Sequence, residues 1–180
     1  LFGEWTTMGD PIVYEAPFTV YVDLSADGQT LAITNYTSAR TYQWMVDGQQ
    51  WVPQGQDIYN HVGQENDNDV ACALDNLSTL SRDGTRRLLI VGCFWQTFDY
   101  DPINKMWIQV GQAFEAYLGE ARQLSANGDR MVTSFPTVVY EWQVDGAVWE
   151  PLGSSPLGEY NYILHLSATG NRLAVYDDSS

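Results

Sequence analysis

Apolar and polar residues alternate over short stretches along most of the chain, and Asp, Asn and Gly separate these stretches. In the first unit this alternation predicts strands near Phe18–Ser25, Gln29–Asn35, Arg40–Val46 and Gln50–Gly55. No stretch shows the 3.6-residue apolar period that is typical of an amphipathic helix. The pattern therefore predicts an all-β chain.

Two short elements repeat along the chain, four times each and in strict alternation. Leu-Ser-x-x-Gly begins at Leu24, Leu80, Leu124 and Leu166, and Trp-x-x-x-Gly begins at Trp5, Trp51, Trp107 and Trp149. An aromatic-x-aromatic triplet places its second ring, Trp44, Tyr100 or Trp142, seven residues before each of the last three tryptophans. Units of four short strands and 42 to 56 residues have the size of a β-propeller blade.

The repeats predict a single β-propeller region over residues 1–180, built of four-stranded antiparallel blades. The predicted blades are approximately 1–9 (a last strand only), 18–55, 71–111, 117–153 and 160–180 (partial). These contain fifteen strands, about 3.75 blades, which is one strand fewer than four complete blades. Two interpretations stay open: a section of a larger propeller, or a four-bladed ring that the N-terminal strand closes. Further blades or a second copy are candidate partners that would complete the ring.

The order LS-x-DG, aromatic strand, DG-x-x-W-x-x-x-G resembles the repeats of FG-GAP-like propellers in secreted and cell-surface proteins. It is also similar in outline to WD40 blades. The resemblance covers nearly the whole chain and implies a scaffold that presents loops to a partner. The chain lacks the Gly-His and Trp-Asp pairs of WD40 repeats and the D-x-D-x-D-G calcium loop of many FG-GAP repeats. No site residue is therefore carried over from either family.

The charge balance narrows the choice of partner. The chain has 23 acidic and 8 basic residues, a net charge of −15, whereas phosphate binding needs clustered Lys and Arg, so nucleic acid is excluded. The longest apolar run, Leu88–Trp95, is much shorter than the roughly 20 residues of a membrane span, so no membrane insertion is predicted. We expect a protein or glycan partner and an extracellular or other non-cytosolic location.

The connection that follows the Trp51 unit is about ten residues longer than its counterparts. Long connections on a rigid scaffold often carry function. The candidate ligand-binding residues in it are Tyr59, His61, Glu65, Asp67 and Asp69. No cofactor and no metal site are predicted; the three acids leave Ca²⁺ as the one alternative, although the glycine of an EF-type loop is missing. Aromatic residues outside the repeat are further candidates for a binding face: Tyr59, Trp95, Tyr117 and Tyr160.

Two modification sites are candidates. Cys72 and Cys93 lie symmetrically about one predicted hairpin, so they are either a cross-strand disulfide or two buried apolar residues. Asn35 begins the sequon Asn-Tyr-Thr and is a candidate for N-glycosylation in a secretory compartment.

Two functional hypotheses remain. The first is a non-catalytic binding or structural module for a protein or glycan partner, with no catalytic residue assigned. The alternative is a secreted carbohydrate-active enzyme, a hydrolase or lyase, with acidic residues at the propeller channel. Two carboxyl groups about 5–10 Å apart at the channel would favour the enzyme.

Overall fold

The computed structural model describes residues 6–13, 20–35, 37–59, 78–91, 94–115, 122–134, 137–153 and 163–176. These residues form fifteen β-strands, and the described part of the chain contains no helix. It accordingly has no helix of the length and apolarity that crossing a membrane requires. The predicted all-β class is confirmed.

The strands form four antiparallel sheets, and each sheet is one propeller blade. Blade 1 contains β1 (Tyr21–Leu24), β2 (Thr30–Thr34), β3 (Ser38–Met45), β4 (Gln50–Pro53) and β5 (Ile58–Tyr59). Blade 2 contains β6 (Ser78–Leu80), β7 (Arg86–Val91), β8 (Phe94–Asp101) and β9 (Met106–Glu115). Blade 3 contains β10 (Arg122–Leu124), β11 (Arg130–Ser134), β12 (Thr137–Gln143) and β13 (Val148–Pro151). The described strands of blade 4 are β14 (Ile163–Leu166) and β15 (Leu173–Tyr176).

Two details differ from the predicted strands. Residues 6–9, the described part of the predicted N-terminal strand, form no strand. In blade 1 the short strand β5, which the alternation did not indicate, pairs with the beginning of β3 and places Tyr59 opposite Ser38. A two-residue strand is too short to show a period, so the sequence pattern could not reveal it.

Each Leu-Ser-x-x-Gly element forms the turn between the first and second strands of its blade. The serine Oγ accepts a hydrogen bond from the backbone N–H five residues later, at 2.8–3.0 Å, in all four turns. The donors are Thr30, Arg86, Arg130 and Arg172. The repeated serine therefore holds the turn, as the sequence predicts for a hydroxyl in this position.

The fixed spacing between the aromatic triplet and the tryptophan comes from strand register. Trp44 lies opposite Trp51, Tyr100 opposite Trp107, and Trp142 opposite Trp149 across the hairpin of the third and fourth strands. The ring centroids of these pairs are 5.2–5.4 Å apart and the rings are inclined by 51–63°. Inclined aromatic pairs at this distance stabilise a hairpin beyond the area they bury.

Apolar clusters fill the space between successive blades. Between blades 1 and 2 the buried members are Ala32, Ala39, Leu80, Leu89, Phe98 and Trp107. Between blades 2 and 3 they are Leu88, Trp95, Leu124, Met131 and Trp149, and between blades 3 and 4 Val132, Leu164 and Leu166. Because side chains alternate along a strand, Leu88 and Leu89 of β7 enter different clusters. Blade 2 is therefore packed on both faces.

Glutamine side chains of the preceding blade form hydrogen bonds with the backbone of the tryptophans of blades 2 and 3. Gln56 donates from Nε2 to the Trp107 carbonyl (2.7 Å) and accepts the Trp107 N–H at Oε1 (2.8 Å). Gln112 binds the backbone of Trp149 in the same way, at 2.8 and 3.0 Å. Each glutamine directly follows the glycine of Trp-x-x-x-Gly. The end of one blade's fourth strand thus holds the fourth strand of the next blade.

The glycines of Trp-x-x-x-Gly offer a matched pair of substitutions. Gly55 and Gly153 both have a positive φ, +78° and +81°. A Cβ on Gly55 would lie 2.7 Å from Trp107 Cδ1, whereas a Cβ on Gly153 would have no atom of the described residues within 4 Å. Of these two glycines, Gly55 alone contacts a described residue of the next blade.

We expect Gly55→Ala to destabilise the protein by about 1–3 kcal/mol more than Gly153→Ala. Both variants place alanine in the left-handed region, which costs about 1–2 kcal/mol, but only Gly55→Ala also overpacks the blade junction. Urea denaturation of the two variants and the wild type measures the difference. Equal losses of stability would contradict the packing of Gly55 against Trp107.

Candidate functional site

The first strands of the four blades, β1, β6, β10 and β14, lie side by side and form the inner groove of the propeller. This inner groove contains a cavity of about 260 Å³. The lining residues are Asp23, Leu24, Thr79, Leu80, Arg82, Gln123, Leu124, Ser125, Ala126, Leu166 and Ala168. All belong to the first strands or to the Leu-Ser-x-x-Gly turns that follow them. The repeat itself therefore builds the walls of the cavity.

A chain of backbone hydrogen bonds joins the turns along the inner groove. The N–H of Ala26 donates to the carbonyl of Arg82 (2.7 Å), and the N–H of Arg82 donates to the carbonyl of Ala126 (2.7 Å). The N–H of Ala126 donates in turn to the carbonyl of Ala168 (2.8 Å). These four residues occupy the third position of the motif in blades 1 to 4. We call this series the turn ladder.

The residue before the motif leucine forms a second link between blades. Asp23 accepts the N–H of Leu24 at Oδ1 (2.9 Å) and the N–H of Leu80 in blade 2 at Oδ2 (2.8 Å). Gln123 accepts the N–H of Leu166 in blade 4 at Oε1. His165 occupies the same motif position in blade 4 and is exposed. The polar lining at Asp23 and Gln123 is thus engaged in holding neighbouring strands together.

Unlike the side chains of Asp23 and Gln123, the side chain of Arg82 does not join neighbouring strands. Arg82 is exposed, and its side chain makes no hydrogen bond or ion pair with any residue that the structure describes. The other three blades carry alanine at its motif position. With no partner among the described residues, the guanidinium is a planar donor at the groove that suits a carboxylate or another planar acceptor.

A second cavity, of about 290 Å³, lies between the turns of blades 2 and 3. Its lining residues are Thr85, Arg86, Asp99, Tyr100, Asn127 and Asp129. In this cavity the arginine, Arg86, already has partners within the protein. Arg86 binds Asp99 through Nε (2.6 Å) and Nη2 (2.8 Å), donates from Nη1 to the Gly128 carbonyl (2.9 Å), and lies 4.5 Å from the centre of the Trp142 ring. We therefore take the inner groove as the candidate site.

Most of the predicted ligand-binding loop lies outside the described residues. Tyr59, where it begins, is 56% exposed and lies beside Asp57, which forms a 2.8 Å ion pair with Arg40. His61, Glu65, Asp67 and Asp69 fall outside the described ranges, so their role stays a prediction and the calcium site an alternative. Within the described ranges no group of three or more potential metal ligands occurs.

The two candidate modification sites also stay predictions. Cys72 and Cys93 lie outside the described residues. Asn35 is 4% exposed, and its Oδ1 accepts the backbone N–H groups of Thr37 (2.9 Å) and Ser38 (2.8 Å). These hydrogen bonds stabilise the turn between β2 and β3, and they use the oxygen of the side chain and not the nitrogen to which a glycan would be attached.

Trp95 is not part of a binding face, and that expectation is wrong. The side chain is fully buried in the cluster between blades 2 and 3. Its position explains the burial, because β8 is an interior strand and Trp95 pairs with Ile90 on one side and Phe114 on the other. Lack of repetition did not imply exposure here.

Sequence reasoning missed Arg82 and Arg86, although the repeat contains a signal for both. Aligning the four turns places Arg82 against three alanines, so it stands out as a departure from the motif. The same alignment places Arg86, Arg130 and Arg172 at one position, two residues after the turn glycine. A repeated arginine indicates a structural role, whereas a single one indicates a role that the scaffold does not require.

Comparison with known proteins shows the fold. No family model and no curated protein sequence matches this chain. Solved structures do resemble it: a protein from Lactobacillus plantarum (TM-score 0.56, 17% identity, 91% of this chain and 49% of that one) and TolB from Acinetobacter baumannii (0.53, 12%, 91% and 39%). A 6-phosphogluconolactonase-like protein from Bacteroides uniformis is also similar, with a TM-score of 0.54 and 15% identity over 93% of this chain and 51% of that one. The chain spans about half of these structures or less, and the likeness supports a β-propeller.

The turn of blade 1 contains a carboxylate, Asp27, that makes the stability of the fold depend on pH. A hydrogen bond from the Ser25 hydroxyl (2.6 Å), and then one from the Gln29 N–H, hold the pKa of Asp27 below its usual value. The folded pKa is thus below the unfolded pKa of about 3.9, so the carboxylate stabilises the fold above that pH. This stabilisation disappears as the pH falls through the folded pKa.

We expect the stability difference between the wild type and Asp27→Asn to be largest near neutral pH and to shrink below about pH 4. Asparagine fits this turn, because Asn127 accepts the Ser125 hydroxyl in the corresponding turn of blade 3 (2.8 Å). Urea denaturation between acidic and neutral pH measures the difference. A difference that does not change with pH would contradict the depressed pKa.

Proposed function

We propose that this chain is a non-catalytic β-propeller module that binds a protein or glycan partner outside the cytosol, and that the inner groove takes part in binding. The observation that carries the proposal is the position of Arg82. It lines the cavity of about 260 Å³, and its guanidinium has no partner among the described residues. Function on a common scaffold belongs to individual sites rather than to the fold itself, and such sites are often on loops.

The chemistry of Arg82 suggests the ligand class. A guanidinium binds a carboxylate through two parallel hydrogen bonds, which gives both strength and orientation. The corresponding group of the partner is an acidic side chain if the partner is a protein, or a uronic acid if it is a glycan. The net charge of −15 repels anions at a distance, but physiological salt limits that repulsion to about 8 Å. Direct contact with Arg82 then decides binding.

The alternative, a carbohydrate-active enzyme, finds little support in this cavity. Asp23 is the one carboxylate among the described residues that line it. Both of its oxygens accept backbone N–H groups, those of Leu24 and Leu80. A glycoside hydrolase needs two carboxyl groups about 5–10 Å apart, one of them free to exchange a proton. Asp23 is thus better suited to joining blades than to catalysis.

We expect Arg82→Ala to lower the affinity for a carboxylate-bearing ligand by about tenfold to a hundredfold, because it removes a charge-assisted hydrogen bond. The probes are an oligouronide with its neutral counterpart and a glutamate-containing peptide with its glutamine counterpart. Calorimetry at physiological salt compares the acidic and neutral member of each pair. The pair that discriminates identifies the partner as glycan or protein.

Lys105→Ala is the matched control. Lys105 is the other cation of blade 2 that is exposed and without a described partner, and it lies on the β8–β9 hairpin rather than in the cavity. This variant should bind as the wild type does. The proposal fails if neither acidic probe binds to the wild type. It also fails if Arg82→Ala binds the acidic probe as tightly as Lys105→Ala does.

A further inference from the structure

We infer that the ligand's carboxylate binds at the junction between blades 2 and 3 of the inner groove, and that it is the acidic side chain of a protein partner. Three donors line the cavity at this junction: the Leu124 backbone N–H, the Thr79 hydroxyl and the Arg82 guanidinium. The site rests on the proposed function, the binding of a carboxylate by Arg82, and it adds the groups that hold the two oxygens.

The backbone N–H of each motif leucine points out of its own sheet. In blades 2, 3 and 4 the serine after the leucine donates its N–H to the carbonyl of an arginine in the next strand. Successive residues of an antiparallel strand alternate between bonding to the neighbouring strand and facing away from it. The leucine N–H is therefore available to a partner outside the sheet. The serine–arginine pairs are Ser81–Arg86 (2.8 Å), Ser125–Arg130 (2.8 Å) and Ser167–Arg172 (2.9 Å).

At two of the three junctions the preceding blade supplies an acceptor for this N–H. Asp23 of blade 1 accepts the Leu80 N–H at Oδ2 (2.8 Å), and Gln123 of blade 3 accepts the Leu166 N–H at Oε1. Both acceptors come from the residue before the motif leucine. One is a carboxylate and the other an amide, so the chain itself contains the contact between a leucine N–H and a carboxylate.

The junction between blades 2 and 3 has a different residue at this position. Thr79 replaces the long acceptor, and its hydroxyl is attached one bond closer to the backbone than the oxygens of Asp23. Neither this hydroxyl nor the Leu124 N–H is hydrogen-bonded to a residue that the structure describes. Leu124 is 6% exposed, and a buried N–H is rarely left without an acceptor. An acceptor oxygen between Thr79 and Leu124 would satisfy both donors.

Arg82 belongs to the same junction. Its backbone N–H donates to the carbonyl of Ala126 (2.7 Å), two residues after Leu124, and its side chain lines the cavity together with Thr79 and Leu124. A carboxylate has two oxygens and about four acceptor positions. One oxygen can accept the Leu124 N–H and the Thr79 hydroxyl, and the other can accept the guanidinium. The ligand then makes at this junction the contact that Asp23 makes at the preceding one.

The cavity favours an acidic side chain over a sugar acid. Its volume of about 260 Å³ is below the roughly 300–1,000 Å³ of pockets that enclose a small-molecule ligand. Its described lining has no aromatic ring on which a sugar could stack. The contact already present in the chain, from Leu80 to Asp23, is made by an amino-acid side chain. We therefore expect an Asp or Glu of a protein partner to enter the groove.

Supplying the acceptor from the protein tests the site. Thr79→Asn and Thr79→Asp place a long acceptor before blade 3, so their side chains should bind the Leu124 N–H in place of the ligand. The affinity for the glutamate-containing peptide should fall about tenfold in Thr79→Asn and about a hundredfold in Thr79→Asp, which also pairs with Arg82. Calorimetry at physiological salt measures both. The melting temperature of each variant should equal or exceed that of the wild type, because a buried N–H gains an acceptor.

His165→Asn and His165→Asp are the matched controls. They introduce the same side chains at the same motif position of blade 4, where His165 is exposed and does not line the cavity. Because salt screens a charge at that distance, their affinity for the peptide should stay within about twofold of the wild type. If Thr79→Asn binds as tightly as its control and Thr79→Asp alone is weakened, charge explains the loss and the inference is wrong.

The amide signals of the motif leucines give a direct measurement. Saturation with the glutamate-containing peptide should shift the amide proton of Leu124 downfield, as a hydrogen bond to a carboxylate does. The amides of Leu80 and Leu166, which already have acceptors, should change little. A peptide that binds through Arg82 without this shift overturns the inference and leaves the proposed function intact. An oligouronide that shifts the Leu124 amide when the peptide does not overturns the acidic side chain as ligand. Failure of every acidic probe to bind overturns both.

Discussion

The structure depends on one interaction, the backbone hydrogen bond from each inner turn to the next. Ala26, Arg82 and Ala126 each donate an N–H to the equivalent carbonyl one blade further on. Because the bond uses backbone atoms, it leaves the side chain at this position unconstrained, which is how alanine and arginine can both occupy it. The serine of each turn makes the bond possible by fixing the turn through its hydroxyl.

The turn ladder also sets which apolar residues of neighbouring blades pack against each other. Once neighbouring turns are in register, the motif leucine of one blade meets the residue eight positions after the leucine of the preceding blade, as Leu124 meets Leu88. The outer strands then come into register through Gln56 and Gln112, which bind the next tryptophan by its backbone. Inner and outer links act at opposite edges of the sheet, so the apolar residues between them have little freedom to slide.

The hairpins that recur in each blade could be predicted from the sequence, but the residue that a given side chain meets in the next blade could not. The spacing of Trp142 and Trp149 is set by a local hairpin, so a constant interval was enough to reveal the repeat and its strands. The burial of Trp95 depends on a neighbouring blade, and no interval along the chain encodes that neighbour. Arg86 was not predicted at all, because its partners, Asp99 in its own blade and Gly128 in the next, are set by side-chain packing rather than by spacing.

In such a scaffold, residues that repeat and residues that depart from the repeat are under different constraints. The arginine two residues after the turn glycine is engaged in blades 2 and 3, as Arg130 is by Glu141 of its own blade and by Gly170 of the next. These contacts would be lost if the side chain bound a ligand instead. Arg82 departs from the repeat at a position whose structural task is carried by the backbone alone. A change of this side chain therefore leaves the backbone hydrogen bonds of the turn ladder in place, so the inner groove can carry the proposed recognition without a structural cost at this position.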